Sequence, residues 1–249
     1  MKTSTSILAL ATLAAALPSP VEKRACTSAV KLSGSSNVFK TYKLHANSFY
    51  KAEVEAAVKN LSDKSLESAA KKVGDVGSFL WLDTIANIEK LKTELATDIP
   101  CTNVLGLVIY DLPGRDCAAK ASNGELKVGE ISKYKSEYID VIAGILKANP
   151  NQAFALIIEP DSLPNLVTNA DVSACQQSKS GYEEGVAYAL KTLNLPNVVM
   201  YVDAGHGGWL GWNDNLKPGA EGLAKVYKAA GSPSQVRGIS TNIAGWNSL

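Results

Sequence analysis

No stretch of the 249 residues gathers lysine and arginine into a basic stripe, no acidic tail is present, and the formal net charge is only +1. A nucleic-acid partner is therefore not expected. Beyond the N-terminus no apolar run approaches the roughly 20 residues that a membrane span requires, so a membrane is not expected as a partner either. The four cysteines show no C-x-x-C spacing, which leaves zinc and thioredoxin-type chemistry without a signature. Asp203 and His206 lack a paired-ligand spacing, and no metal or other cofactor is expected. Walker and Rossmann glycine patterns are missing, and Ser122 does not sit in a G-x-S-x-G elbow. Nucleotide binding and serine-nucleophile chemistry fall away with them. No Ser/Gly/Pro-rich linker and no internal repeat divides the chain.

What is there reads as one globular unit. Hydrophobic residues make up 46% and charged residues 20%, an ordinary balance with enough apolar surface for a sizeable core. Lys2 precedes the apolar run "ILALATLAAAL", followed by Pro18, Pro20 and the dibasic Lys23-Arg24. Residues 1–24 are read as a signal peptide and pro-segment, and the protein is expected to be secreted, as a monomer. In an oxidising compartment the even cysteine count (Cys26, Cys101, Cys117, Cys175) favours two disulfides, with three connectivities open. The sequon "NLS" at Asn60 is compatible with secretion.

Past residue 49 the chain alternates. Helical spacing is expected over 49–73, with a break at "LSDKS", and over 85–99, 130–150, 182–194 and 220–231. Strands are expected at 78–84, 103–112, 153–161, 197–205 and 236–241. Their apolar runs are continuous, as in parallel strands covered on both faces. The class is α/β, an open sheet or a barrel.

In such folds chemistry collects at the carboxyl ends of the strands. There the sequence places Trp81 and Asp83, then Tyr110, Asp111 and Asp116, then Glu159 and Asp161, then Asp203, His206, Trp209 and Trp212. Indoles stack on the apolar faces of sugar rings, and carboxylates bond their hydroxyls. Cleavage of a glycosidic bond further needs a protonated carboxyl beside the bridging oxygen. Asp161 leaves an apolar strand in "IIEPDSL" and is the candidate acid. Like-charge repulsion from Asp116 would raise its pKa. Tyr134 and Tyr138, on a helical stripe, read as packing residues.

The runs "FLWLDT", "VIYDLPGRDCAAKASNGE", "IIEPDSLPNLVTN", "LNLPNVVMYVDAGHGGWLGW" and "RGISTNIAGWN" resemble, in this order, the family-six glycoside hydrolases, the fungal cellobiohydrolases and endoglucanases. The resemblance covers about residues 40–247. It implies a distorted parallel α/β barrel that cleaves β-1,4-glucan chains such as cellulose with inversion. It implies Asp161 as general acid, Asp116 as the aspartate that raises the acid's pKa, Tyr110 as the tyrosine favouring a distorted sugar ring, and Ser122 as the serine holding the attacking water. Trp81 and Asp83 match the glycone-side binding pair, and His206, Trp209 and Trp212 match the leaving-group side; Asp203 is taken with the substrate-binding group. A Cys117–Cys175 disulfide is implied, and with it a Cys26–Cys101 pair.

The family pattern continues beyond Leu249 with further strands and the acidic residues often proposed as the base. The expectation is therefore a barrel incomplete at its C-terminus, with residues 25–249 a partial catalytic domain. "TNIAGWN" also departs from the family run: Gly245 stands where an asparagine contacts substrate, and Trp246 replaces a tyrosine. The rival to an active glucanase is a glucan-binding derivative without activity, or a truncated product that does not fold.

Overall fold

The computed structural model describes residues 26–119 and 121–243. The expected signal peptide and pro-segment, and the departures at Gly245 and Trp246, lie outside the described residues. Among the described residues six strands form one sheet: β1 (Lys43–Leu44), β2 (Phe79–Leu82), β3 (Asn103–Ile109), β4 (Ala153–Ile158), β5 (Val198–Asp203) and β6 (Val236–Ser240). All pairings are parallel, in the order β3, β4, β5, β6, with β1 and β2 sharing the outer side of β3. The expected parallel α/β architecture is thus present. Among the described residues no ladder joins β6 to β1 or β2.

The helices are α1 (Ser48–Lys59), α2 (Glu67–Lys71), α3 (Ile88–Leu95), α4 (Ile131–Lys133), α5 (Asp140–Ala148), α6 (Leu163–Thr168), α7 (Ser173–Thr192) and α8 (Asn213–Ala229). A π-helical turn, Tyr134–Ile139, joins α4 to α5. Among the described residues no helix is long and apolar enough to cross a membrane.

Strand side chains alternate between faces. On β3, Leu105, Leu107 and Ile109 face the main core with Phe154, Leu156 and Ile158 of β4, packed by residues of α3, α5, α7 and α8. Val104, Ala153, Ala155 and Val199 face the other way, onto Val30, Leu32, Val38 and Tyr42 of the N-terminal segment. Further along that inner face lie Val108, Tyr110 and Ile157, against Phe79, Trp81 and Ile243. The apolar runs of β3, β4 and β5 are continuous because both faces are covered; the expected cover does not extend to β6, where Ile239 is 58% exposed.

Gly106 lies where β1 and β2 meet on the edge of β3. A Cβ there would stand 2.9 Å from Leu44 Cδ1 and from the Phe79 ring. Gly106→Ala is expected to lower stability by about 1–2 kcal/mol, a drop of roughly 2–8 °C in melting temperature for a chain of this size. Calorimetry checks this; an unchanged Tm would mean that the two edge strands give way freely.

The register sets the working rim. Leu82, Ile109, Ile158, Val202 and Ile239 are successive partners across the sheet. The residues that follow them therefore leave the sheet at one level, which is how carboxylates far apart in sequence come together.

Candidate active site

Tyr110 leaves β3 on the inner face, and Asp111, one residue on, points toward the helices. The Tyr110 hydroxyl donates to Asp116 Oδ2 at 2.7 Å. Its ring meets the edge of Trp81 at 5.3 Å and 87°. Burial, and next the Asp116 carboxylate, push the Tyr110 phenol far above its ordinary value, so it stays a donor. Beside Trp81 a cavity of about 560 Å³ opens, walled by Tyr50, Phe79, Ile157 and Asn242.

Arg115 ties this corner together. Its Nε donates to the Ser122 carbonyl at 3.0 Å, and Nη1 donates to the carbonyls of Asp83 at 2.8 Å and Tyr110 at 2.5 Å. The guanidinium also lies 4.1 Å over the Tyr110 ring. One buried cation so fixes three segments that carry expected site residues. Its planar fork holds donors on separate nitrogens in one fixed plane, whereas an ammonium offers all its donors from a single point. From the sequence, Arg115 reads only as a charge partner. A basic residue between a glycine and an aspartate, directly after a buried strand, was the signal available.

The loop is pinned from below. Disulfides join Cys117 to Cys175 on α7 and Cys26 to Cys101. Tyr182 of α7 donates its hydroxyl to the Gly114 carbonyl at 2.6 Å and accepts from the Cys117 amide at 3.3 Å. Ser122, half-buried, is reached by Arg115 through its backbone. Asp83 accepts at Oδ1 from Asn87 at 2.5 Å.

Three acidic residues adopt left-handed backbone: Asp116 (φ 54°), Glu159 (φ 51°) and Asp161 (φ 59°). Each non-glycine residue held there costs on the order of 1–3 kcal/mol, and such strain concentrates at working sites. The Asp161 amide donates to Asp203 Oδ2 at 3.0 Å, which also accepts from the Gly205 amide at 3.0 Å. Asp203 is buried, and this carboxylate oxygen is occupied by backbone.

The half-buried Asp161 carboxyl is raised to about 7, by burial first, then by the charge of Asp203, then by that of Asp116. Asp203 itself is raised to about 6 by burial, against which its two backbone donors act. Asp116 is thus one of two acidic neighbours felt by Asp161.

Beneath the rim lies a second acidic pair. Glu159 Oε1 accepts from the Tyr134 hydroxyl at 2.7 Å and the Asp111 amide at 3.2 Å. Among the described residues, its Oε2 and both Asp111 oxygens lack hydrogen-bond partners. Burial lifts Glu159 to about 7. Burial, then the charges of Glu159 and Glu125, lift Asp111 to about 8. Arg115 Nη1 stays 3.9 Å from Asp111 Oδ1.

After β5 come the remaining aromatics. His206 and Trp209 pack with ring centroids 4.7 Å apart. Trp212 is 66% exposed and donates from Nε1 to the Gly208 carbonyl at 2.8 Å. An indole left in water and tied at its nitrogen offers a flat apolar face to a ligand.

Comparison with known proteins agrees with this geometry. Residues 39–249 match the model of glycosyl hydrolases family 6. A 1,4-beta-D-glucan cellobiohydrolase of Podospora anserina is 66% identical, over 99% of this chain and 64% of its own length. A probable 1,4-beta-D-glucan cellobiohydrolase C of Aspergillus fumigatus is 48% identical, over 86% of this chain and 49% of its own. Among solved structures, cellobiohydrolase II from Humicola insolens in complex with glucose and cellotetraose superposes with a TM-score of 0.79 at 41% identity, covering 86% of this chain and 62% of that one. An endoglucanase from the same organism superposes at 0.76 with 31% identity, covering 85% and 64%. The chain thus spans less than two thirds of the relatives it matches. With strand-end carboxylates, a loop held by a buried arginine and a family match over nearly all described residues, the chain belongs to glycosyl hydrolases family 6.

Proposed function

We propose that the protein hydrolyses β-1,4-glucosidic bonds in cellulose or related glucan chains, with Asp161 as general acid and inversion at the anomeric carbon. The observation that carries this is Asp161 itself: a half-buried carboxyl at a strand end, raised to about 7 by burial and two acidic neighbours. It holds a proton at a pH where an ordinary aspartate has lost it. Asp116, anchored by the Tyr110 hydroxyl, is the fixed negative charge that helps keep the proton in place. Tyr110 and Trp81 present aromatic surface to the reacting sugar, and Ser122 holds the attacking water on a segment set by Arg115. Trp81 and Asp83 take the glycone side; His206, Trp209 and Trp212 take the leaving-group side. Asp203 acts from below, through the Asp161 amide and its own charge. Relatives whose structures hold cellotetraose or a cellotrioside support the substrate class.

Residues 1–24 are proposed to direct secretion, which the two disulfides favour. Residues 25–249 are proposed to carry the catalytic portion, working as a monomer.

The test is release of soluble sugar from swollen cellulose, with the anomer first formed followed by NMR. Release of the α-anomer supports inversion; no release above a boiled control removes the enzymatic reading. Activity is further expected to fall as pH rises through about 7, because Asp161 then loses its proton. Asp203→Asn keeps an acceptor for the two backbone amides but removes a charge. The alkaline limb of the pH–rate profile should therefore move to lower pH, and a profile that does not move would show that Asp203 leaves the acid untouched.

A further inference from the structure

We propose that the π-helical turn Tyr134–Ile139 is a positioning device for the reacting groups, in which Tyr138 sets Tyr110 and Tyr134 sets the Glu159–Asp161 turn. The proposal rests on the glycosidase reading above. A stretch of i→i+5 helix is rare, and such bulges concentrate at functional sites.

Both tyrosines are fully buried, with ring centroids 5.5 Å apart. Core filling alone would explain the rings but not where the hydroxyls go. The Tyr138 hydroxyl accepts from the Tyr110 amide at 2.9 Å and donates to the Leu82 carbonyl. The same amide also reaches Leu82 O, at 3.3 Å. The phenol is therefore wedged into the last rung between β2 and β3, at the point where Trp81–Asp83 and Tyr110 part. The Tyr134 hydroxyl reaches the other side of β3, to Glu159 Oε1, which also takes the Asp111 amide. Glu159 stands two residues before Asp161, both in left-handed backbone, and its carbonyl accepts from Ser162 Oγ at 2.6 Å.

One helical turn thus sends two hydroxyls to the ends of three neighbouring strands. Tyr110 in turn holds Asp116, and the Glu159 turn aims Asp161. An uninterrupted α-helix over 131–148 would rotate the two tyrosines differently about the axis. The π turn is the local feature that lets both reach.

Tyr→Phe removes the hydroxyl and keeps the ring, so it separates positioning from packing. In the full chain, Tyr138→Phe and Tyr134→Phe are compared with Tyr188→Phe, whose hydroxyl meets Asp140 on the surface. Three readouts are taken: thermal melting, the tryptophan region of the near-ultraviolet circular dichroism, where the deleted tyrosine does not absorb and the Trp81–Tyr110 edge contact reports, and kinetics on cellohexaose. Loss of positioning is expected to cut kcat about 10-fold in each of the two variants, with KM within about twofold of the parent. Tyr138→Phe should also change the near-ultraviolet band, while Tyr188→Phe should change neither. A folded Tyr138→Phe protein with parental kcat and an unchanged band overturns the proposal. Should that variant fail to fold, Tyr134→Phe decides: parental kcat and pH profile overturn it, a reduced kcat sustains it. A parent protein without hydrolytic activity sinks the glycosidase reading alone, and the Tyr138→Phe band then decides whether the π turn sets Tyr110.

Discussion

Asp161→Asn is expected to slow release of cellobiose from swollen cellulose by about 10²–10⁴-fold, the usual range for loss of a positioned acid. The substitution keeps size and shape. The backbone contacts that hold the turn do not involve the carboxyl: the Asp161 amide goes to Asp203, and its carbonyl accepts from Asn165 Nδ2 at 2.5 Å. Folding and glucan binding should therefore persist, and the loss should appear in kcat with KM changed only a few-fold. The physical reason is narrow. An alkoxide is a poor leaving group, and an amide cannot hand it a proton. Substrates whose leaving group needs no proton, such as a cellobiosyl fluoride, should lose far less. Initial rates on both substrate types, with melting curves as a folding control, make the test. Parental rates on cellulose would end the assignment of Asp161, and equal losses on both substrates would point to misfolding instead.

Asp111→Asn is expected to raise the melting temperature at pH 8 by roughly 4–8 °C, equivalent to about 2 kcal/mol, and to leave it nearly unchanged near pH 4. Asp111 is fully buried, and among the described residues neither oxygen has a hydrogen-bond partner. Burial, then Glu159 and Glu125, lift its pKa to about 8, and burial lifts Glu159 to about 7. In the unfolded chain such carboxyls titrate near 4. Between those values the folded protein keeps protons that the unfolded chain has released. The stability tied to them is complete below about pH 4 and drains as pH rises through 7 and 8. A neutral side chain removes the largest part of that dependence. Calorimetry of both proteins from pH 4 to 8 decides the matter. A parent whose Tm is flat across that range would show that the buried acids do not control stability.

Elements legible in the sequence were those whose pattern is local. Five of the six strands stand out as apolar runs, and all five form. Their ends are less well marked. The expected strand 103–112 stops at Ile109: the Tyr110 amide is shared between Leu82 O and the Tyr138 hydroxyl, and the Asp111 amide turns to Glu159. The two-residue β1 is too short to leave a pattern. The helix expected from 182 starts at Ser173, since its first turns are polar and bury only Cys175 and Ser178. The helix expected from 220 starts at Asn213 and carries Pro218 inside it. α6, within "DSLPNLVT", has Pro164 in its first turn, where a missing N–H costs little. The helix 130–150 forms, but apolar spacing alone does not distinguish an α turn from the π turn at Tyr134–Ile139.

The site divides the same way. Residue types at strand ends are a one-dimensional fact, so Asp116, Asp161, Asp203 and the four-strand rim were open to inspection, as was the family resemblance. Asp161 as an acid raised by Asp116 was open as well, but the burial and the Asp203 charge that come first in raising it were not, because they arrive from elsewhere in the fold. Nor were the reach of Arg115 to three carbonyls or the tasks of the Tyr134 and Tyr138 hydroxyls. The sequence by itself determined which strands form and which chemical groups stand at their ends, because periodicity and composition act over a few neighbouring residues. Only the tertiary structure decided how deeply those groups are buried, which charges face them and which side chains hold them in place. Those are matters of distance and dielectric between segments dozens of residues apart.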